Sequence, residues 1–244
     1  MELRKVVEKL RRKGTVAEVR EEKSRSFDLA FVEDRAYLIK LVGNADSLSQ
    51  DSLESFRKCA SVVGADPLVV SKKCKSHGGL TEGVVYQRYG VPVMSGETFL
   101  KYLDNHEVAL ADRGGVKVPM EHVKEAREAL NMSRNLLAER LEVTPEMVRR
   151  YEEGQAEPGR EMAEKMRGIL GGSIVRKVSF KVEGSEKAFI GRAPFELAFR
   201  KEGETFLVSF KDHPQRVRNL KQVAEVLEAE AVVSKSKKLE DMGF

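Results

Sequence analysis

Two stretches of the chain repeat the same order of apolar and polar runs. The string FDLAF at 27–31 is matched by FELAF at 195–199, and a second short run follows each of them, YLIKLV at 37–42 and FLVSFK at 206–211. An amphipathic helical stretch and a last apolar run come next in both places. Short runs rich in β-branched and aromatic residues predict strands, and apolar residues spaced three and four apart predict a helix. The pattern therefore predicts two copies of one small α+β unit.

The two copies differ in what precedes them. Ahead of the first copy the pattern predicts a helix at 2–13 and a strand at 15–20, whereas a strand across 174–182 and then the apolar pair Phe189-Ile190 precede the second copy. We therefore expect the order α-β-β-β-α-β in the first copy and the same order without its first helix in the second. After the first copy, residues 84–103 predict a strand, a turn at Gly90 and Pro92 and a helix.

The chain between the copies is helical in pattern over 121–170. Apolar residues recur there at helical spacing, and Ser133 and Thr144 stand where a hydroxyl would cap the start of a helix. Pro145 follows at a first helical position, where its missing N–H costs nothing, and Glu146 favours the positive helix end. The pattern predicts two short helices that meet at a tight corner.

These elements predict an α+β protein in which a central all-α domain lies between two small αβββαβ units. We place the domains at 1–112, 113–170 and 171–244, with the pair Gly171-Gly172 at the second boundary.

Composition narrows the class of protein. Charged residues make up 34% of the 244 residues and apolar residues 41%, which is typical of a globular chain. No run approaches the roughly 20 apolar residues of a membrane helix. We expect a cytoplasmic protein that contacts no membrane, and we expect Cys59 and Cys74 to be ordinary thiols because two cysteines cannot make a disulfide framework in a chain of this length.

Charge is distributed in a way that matters for nucleic-acid binding. The whole chain carries +4, but residues 119–170 hold 9 Lys plus Arg and 11 Asp plus Glu, a net −2. A nucleic-acid-binding domain is expected to be basic. Phosphate attraction would therefore come from the flanks, where lysines end both copies (Lys72, Lys73, Lys75, Lys235, Lys237 and Lys238).

Residues 121–170 resemble the Cro and lambda-repressor type of helix-turn-helix. With Arg134 as the first position of the motif, Ala138 matches the small residue at which two helices approach, and Val148 matches the residue that packs the second helix back. The ending Tyr151-Glu152, Gly154 and Pro158 also resembles the family. Glu142 departs from it, since the family has Gly there in a left-handed turn, and Arg134 replaces a glutamine that often reads adenine.

The resemblance implies that the helix from Thr144 to Glu153 enters the major groove. Arg149 would offer a bidentate fork to guanine, and Glu146 would accept from a cytosine amino group. Other polar residues near the start of each helix would reach phosphates or flanking bases. The expected DNA-binding residues are Ser133, Arg134, Asn135, Thr144, Pro145, Glu146, Arg149 and Arg150.

The repeated unit resembles the Holliday junction resolvase branch of the restriction-endonuclease-like fold. That family places an Asp in one strand and Glu-x-Lys in the next, where the carboxylates hold a divalent metal and the lysine assists a water. The corresponding positions are Asp28, Lys40 and Val42 in the first copy and Glu196, Ser209 and Lys211 in the second. A cation repels a metal, and a hydroxyl is a poor ligand for Mg²⁺. We expect neither copy to hold a metal or a cofactor or to be an enzyme.

Together these features resemble the archaeal HTH-type transcriptional regulators. The resemblance implies a sequence-specific regulator that binds double-stranded DNA as a homodimer on a palindrome. One alternative is a metal-dependent, structure-selective nuclease or junction-binding protein. Another makes the flanks a ligand-sensing or protein-docking module, with the strand at 84–94 and the helix after it as the contact surface. The residues leave open the operator, any effector, and whether the copies pair within or between chains.

Overall fold

The computed structural model describes residues 3–20, 26–74, 79–112, 115–182, 184–190 and 193–234. The chain divides into two compact units. One unit contains 1–80, 87–100 and 180–244, and the other contains 81–86 and 101–179. The first unit therefore holds both repeated copies, and the second holds the central helices.

The first copy folds in the predicted order. Its elements are α1 (Leu3–Leu10), β1 (Thr15–Glu18), β2 (Leu29–Val32), β3 (Ala36–Asn44), α2 (Gln50–Val63) and β4 (Asp66–Lys73). Strands β1, β2 and β3 are antiparallel neighbours, and β4 joins β3 in parallel after the crossover through α2. The hydroxyl of Ser49 caps the start of α2, and Gly64 ends it in a left-handed conformation with φ of 72°.

The chain that follows the first copy is divided between the two units. Strand β6 (Val91–Met94) lies in parallel beside β4, and α3 (Gly96–Leu103) begins after Ser95, whose hydroxyl accepts from the amide of Thr98. In the other unit, Val84 and Val85 at the start of β5 (Val84–Arg88) pair in parallel with β7 (Ala109–Asp112), which forms a hairpin with β8 (Gly115–Lys117). The predicted turn lies at Gly90, whereas Pro92 belongs to β6.

The second copy repeats this arrangement. Its elements are β9 (Lys187–Phe189), β10 (Leu197–Lys201), β11 (Glu204–Ser209), α8 (Pro214–Val226) and β12 (Glu230–Val233). The strand order β9-β10-β11-β12 and the strand directions match those of β1 to β4. The registers agree as well, since Leu29 faces Ile39 in the first copy and Leu197 faces Val208 in the second.

One sequence prediction is wrong. The strand expected across 174–182 is not formed, because the structure has only an isolated bridge between Val175 and Met120 in that stretch and leaves 176–182 without strand. The alternation of apolar and charged residues there resembles that of a strand. A strand also needs a continuous partner, and this bridge consists of only two bonds, from the amide of Arg176 to the carbonyl of Pro119 and from the amide of Glu121 to the carbonyl of Ile174.

The two copies pack against each other within one chain. Helix α2 of the first copy packs on β9 and β10 of the second, and α8 of the second packs on β1 and β2 of the first. The fully buried rings of Phe27 and Phe195, which hold equivalent positions, meet with their centroids 6.1 Å apart. Reciprocal contacts between equivalent elements are the pattern of a two-fold interface. The sequence did not decide whether the copies pair within or between chains, and in the structure they pair within one chain.

The second unit contains four short helices, α4 (Val123–Ala129), α5 (Arg134–Leu141), α6 (Pro145–Glu152) and α7 (Arg160–Leu170). Their inner faces form one core whose fully or nearly fully buried members include Val123, Leu137, Ala138, Leu141, Val148 and Met166. The α+β class with helix-turn-helix and nuclease-like parts is confirmed, while the division into three domains stays a prediction. In the described part of the chain, no helix is both long and apolar enough to cross a membrane.

Candidate nucleic-acid interface

Helices α5 and α6 begin at the predicted caps. The hydroxyl of Ser133 accepts from the amide of Leu136 at 3.1 Å, and that of Thr144 accepts from the amide of Met147 at 3.2 Å. Pro145 occupies the first position of α6. Each cap satisfies an amide that the helix itself leaves without a partner, which fixes where both helices start.

The corner between the two helices has the expected left-handed geometry. Glu142 ends α5 with φ of 58° and ψ of 41°, and the amide of Val143 returns to the carbonyl of Ala138 at 3.0 Å. A residue with a Cβ accepts this conformation at a cost of about 1 kcal/mol. Burial of Ala138 and Val148 in the core offsets that cost and holds the two helices against each other.

A buried ionic cluster ties three helices together. The side chain of Glu152, which is only 1% exposed, accepts from Nε of Arg127 at 2.6 Å and from Nε and Nη2 of Arg134 at 3.1 and 2.9 Å. Burial raises the pKa of Glu152, but the hydrogen bonds from both arginines outweigh it, and the pKa lies below its usual range. The cluster fixes α6 relative to α4 and α5.

The outer face of α6 carries the residues expected to reach bases. Glu146, Arg149, Arg150 and Glu153 are spaced three and four apart and so share one face of the helix. Asn135, Thr144, Pro145 and Arg150 are exposed, as is the cap Ser133. Arg134 differs from the rest because its guanidinium is bound to Glu152, a role that the sequence did not reveal.

Arg149 is held by two carboxylates. Its Nε donates to Oε2 of Glu146 at 2.8 Å, its Nη2 donates to Oε1 of the same residue at 2.6 Å, and its Nη1 contacts Oε2 of Glu153. The hydrogen bond from Arg149 lowers the pKa of Glu146, and the hydrogen bonds to Glu146 and Glu153 raise the pKa of Arg149. Both shifts favour the charged forms of Glu146 and Arg149.

In the first repeat, a protein cation pairs with the carboxylate that corresponds to a metal ligand of the nuclease fold. Oδ2 of Asp28 lies 3.2 Å from Nζ of Lys40 and accepts from the amide of Leu41 at 2.8 Å. Both side chains of the pair are largely buried, Lys40 at 9% exposure and Asp28 at 14%. Val42 offers no polar atom for chemistry, as expected from its side chain.

In the second repeat, a cation fills the equivalent position from a different element. Oε1 of Glu196 lies 2.6 Å from Nη2 of Arg216, an α8 residue that the sequence analysis missed. Oε2 accepts from the amide of Phe210 at 3.0 Å and lies 3.4 Å from the hydroxyl of Ser209. Nζ of Lys211 is 3.6 Å from the same carboxylate.

Neither position suits a divalent metal. Each carboxylate already has a cation and a backbone amide as partners, and the described residues contain no group of three His, Cys, Asp or Glu side chains placed to hold a metal ion. A hard cation needs several anionic oxygens, which these positions lack. Of the lysines considered for phosphate contact, Lys72 and Lys73 are exposed at the end of β4, and Lys75, Lys235, Lys237 and Lys238 lie outside the described residues.

Comparison with protein families identifies a nuclease-superfamily region and a helix-turn-helix region in the chain. Residues 2–108 match the model of a PD-(D/E)XK superfamily domain, and residues 123–176 match a helix-turn-helix model. The second repeat lies outside both matched ranges, so its relation to the first rests on the repeated strings, strand order and register. No solved structure gives a significant match to the chain.

Several archaeal proteins are similar over most of the chain. A protein of Archaeoglobus fulgidus named "Putative HTH-type transcriptional regulatory protein" is 30% identical over 89% of this chain and 80% of its own length. A relative from Pyrococcus furiosus with the same type of name is 29% identical over 89% of this chain and 81% of its own length. A third, from Methanocaldococcus jannaschii, is 30% identical, and the match spans 58% of that protein. The chain therefore belongs to the family of archaeal HTH-type transcriptional regulatory proteins.

Proposed function

We propose that the protein is a transcriptional regulator that binds specific sequences of double-stranded DNA by placing the helix of residues 144–153 in the major groove. The observation that carries this proposal is the rigid corner between α5 and α6. Two hydroxyl caps, a left-handed Glu142 and the buried Glu152 cluster fix that corner, while the outer face of α6 remains exposed. A fixed helix with a free polar face is what base recognition requires.

The residues on this surface would have different roles in DNA binding. Arg149 would read guanine through its planar fork, with Glu146 beside it. Ser133, Asn135 and Arg150 would contact phosphates or flanking bases, and Thr144 and Pro145 would set the start of the reading helix. Arg134 would support the site through Glu152, since two of its nitrogens are bonded to that carboxylate.

Phosphate attraction would come in part from outside the helical region, because residues 119–170 carry a net −2. The exposed Lys72 and Lys73 at the end of β4 are candidates for such contacts. Each phosphate contact would add about one unit to the slope of log affinity against log salt.

A dimer on a palindrome remains part of the proposal. The faces that the two repeats use to contact each other are already occupied within one chain, so a homodimer would form through another surface. Half-sites would then lie about 34 Å apart, or a multiple of that distance, along the DNA.

The proposal makes the protein a regulator without nuclease activity, although its PD-(D/E)XK domain belongs to a nuclease superfamily. Pairing of Asp28 with Lys40 and of Glu196 with Arg216 supports this view, because both carboxylates are neutralised where a metal would bind. Incubation of the protein with branched and linear DNA in Mg²⁺ or Mn²⁺ tests it. Metal-dependent cleavage that disappears in Glu196→Ala would favour the nuclease alternative.

The proposal is tested by selecting bound duplexes from a random pool at about 0.15 M salt. Wild type should enrich one motif, and Arg149→Ala should lower affinity for it by about 1 to 3 kcal/mol and relax the preference at one base pair. Arg218→Ala is the matched control, since Arg218 is an exposed helical arginine of the other unit. Binding without any enriched motif would contradict sequence-specific recognition.

A further inference from the structure

We propose that Glu146 and Glu153 are positioning residues that aim the guanidinium of Arg149 at guanine and make DNA binding depend on sequence rather than on charge. This inference rests on the proposed function and deepens it. It assigns two acidic residues of the reading helix to specificity, although each of them opposes binding to a polyanion.

The hydrogen bonds of Arg149 leave the correct donors unused. A guanidinium has five N–H groups, and three nitrogens each commit one of them here, Nε and Nη2 to Glu146 and Nη1 to Glu153. Two N–H groups remain, one on each terminal nitrogen. A pair of N–H groups on the two terminal nitrogens matches the O6 and N7 acceptors of guanine in the major groove.

The two carboxylates also reduce the freedom of a long side chain. Glu146 grips Arg149 through two parallel hydrogen bonds from one turn earlier in the helix, and Glu153 holds it from one turn later. An unrestrained arginine would lose rotamer freedom when it bound a base, and could also swing toward a phosphate. The carboxylates on both sides restrict the rotamers of Arg149 before DNA binds, so its guanidinium is preorganised to contact a base.

The acidity of the helical region fits this role. Residues 119–170 carry more acidic than basic groups, and two of the acidic residues lie on the face proposed to meet DNA. Carboxylates near the phosphates weaken binding to every sequence through like-charge repulsion. If the same carboxylates strengthen contact with one base pair, they raise the ratio of specific to non-specific affinity from both sides.

Arg150 provides an internal contrast. It precedes Tyr151 on the same helix and is exposed, and among the residues that the structure describes it makes no ion pair within 4.0 Å, although its charge helps to lower the pKa of Glu146. An unclamped arginine of this kind suits a phosphate, whose position varies little with sequence. The difference between Arg149 and Arg150 is therefore a difference in restraint on one helix.

The test uses Glu146→Gln, Glu153→Gln and the double variant of the full chain. Dissociation constants are measured at about 0.15 M salt for the enriched duplex, for duplexes with each base pair replaced in turn, and for an unrelated duplex. We expect the double variant to bind the unrelated duplex several-fold more tightly and to lose about tenfold of its discrimination at the base pair read by Arg149. Glu139→Gln, an exposed carboxylate of α5, controls for the charge alone.

Opposite outcomes overturn the inference in distinct ways. Equal gains on all duplexes would mean that the carboxylates only repel DNA. A larger gain on the enriched duplex than on the unrelated one would mean that they hold Arg149 away from its base. A changed preference at a neighbouring base pair alone would mean that Glu146 reads a base itself. Failure of wild type to enrich any motif would instead remove the proposed function, and the inference with it.

Discussion

The two repeats place a carboxylate immediately before equivalent strands, Asp28 before β2 and Glu196 before β10, yet they neutralise it from different elements. In the first repeat the cation is Lys40, on the neighbouring strand β3. In the second it is Arg216, which reaches across from helix α8. The backbone contact is unchanged, since the amide of Leu41 in one repeat and of Phe210 in the other donates to the carboxylate.

The cation and a serine have exchanged places between the repeats. Where the first repeat has Lys40 on its strand, the second has Ser209, as their equivalent strand registers show. The two helices can be aligned on the hydrogen bonds at their C-terminal ends, from Ala65 to Ala60 after α2 and from Ala229 to Ala224 after α8. In this alignment, Ser52 of the first repeat stands where the second repeat has Arg216. The common requirement is thus an ion pair at the carboxylate, and the element that provides the cation is free to vary.

Removal of Lys40 should have the largest effect on stability. We expect Lys40→Ala to lower the free energy of unfolding by about 3 to 5 kcal/mol, because it removes a cation 3.2 Å from the largely buried carboxylate of Asp28. Urea unfolding with a shared m-value measures the loss. Lys58→Ala, which removes an exposed pair with Glu54, should lower the free energy of unfolding only slightly. A similar small loss for Lys40→Ala would show that the pair does not stabilise the repeat.

Arg216→Ala should have a smaller effect on the second repeat. Glu196 would keep the amide of Phe210, the hydroxyl of Ser209 and the more distant Lys211, so we expect a loss of about 2 kcal/mol. The same urea experiment applies. A loss greater than that of Lys40→Ala would contradict the view that the remaining contacts of Glu196 limit the cost of removing Arg216.

Local patterns made much of this structure predictable from sequence. Caps at Ser133 and Thr144 and the corner at Glu142 involve residues within a few positions of one another, and the motif spacing carries them. The repeated strings likewise predicted matching strand orders. The strand expected at 174–182 failed because alternation describes a segment and says nothing of its partner.

Long-range side-chain contacts were not predictable in the same way. Arg216 lies 20 residues from Glu196, and Arg127 lies 25 residues from Glu152. No periodicity joins such pairs. The hydrogen bonds of Arg149 are local, but a helix offers several partners at three- and four-residue spacing, and only the rotamers select among them. Glu152 and Gly154 stood out in the sequence only because they match the end of the helix-turn-helix motif, and that match gave no sign of the arginines that bind Glu152.

Substitutions in the first repeat can test whether its cation is what prevents metal binding. The double substitution Lys40→Glu and Val42→Lys recreates the acid and lysine pattern beside Asp28. We expect about 10 mM Mg²⁺ to stabilise this variant by about 1.4 kcal/mol if it binds near 1 mM, and to leave wild type unchanged. Thermal unfolding with and without metal measures the shift. An equal shift in wild type would mean that Mg²⁺ binds elsewhere.

The smallest effect concerns the serine that replaces the strand cation. Ser209 and Ser71 are both buried, and each exchanges hydrogen bonds with the backbone of the residue two positions later, but only Ser209 also accepts from Nε of Arg216, at 3.1 Å. Ser209→Ala should therefore cost about 0.5 to 1 kcal/mol more than Ser71→Ala. In Arg216→Ala that difference should shrink, because the hydroxyl loses its contact with Arg216 and, beyond its backbone contacts, keeps only the longer contact with Glu196, at 3.4 Å. An unchanged difference without Arg216 would show that the hydroxyl of Ser209 does not stabilise the repeat through Arg216, and that the exchange of cation and serine between the repeats carries no energetic link.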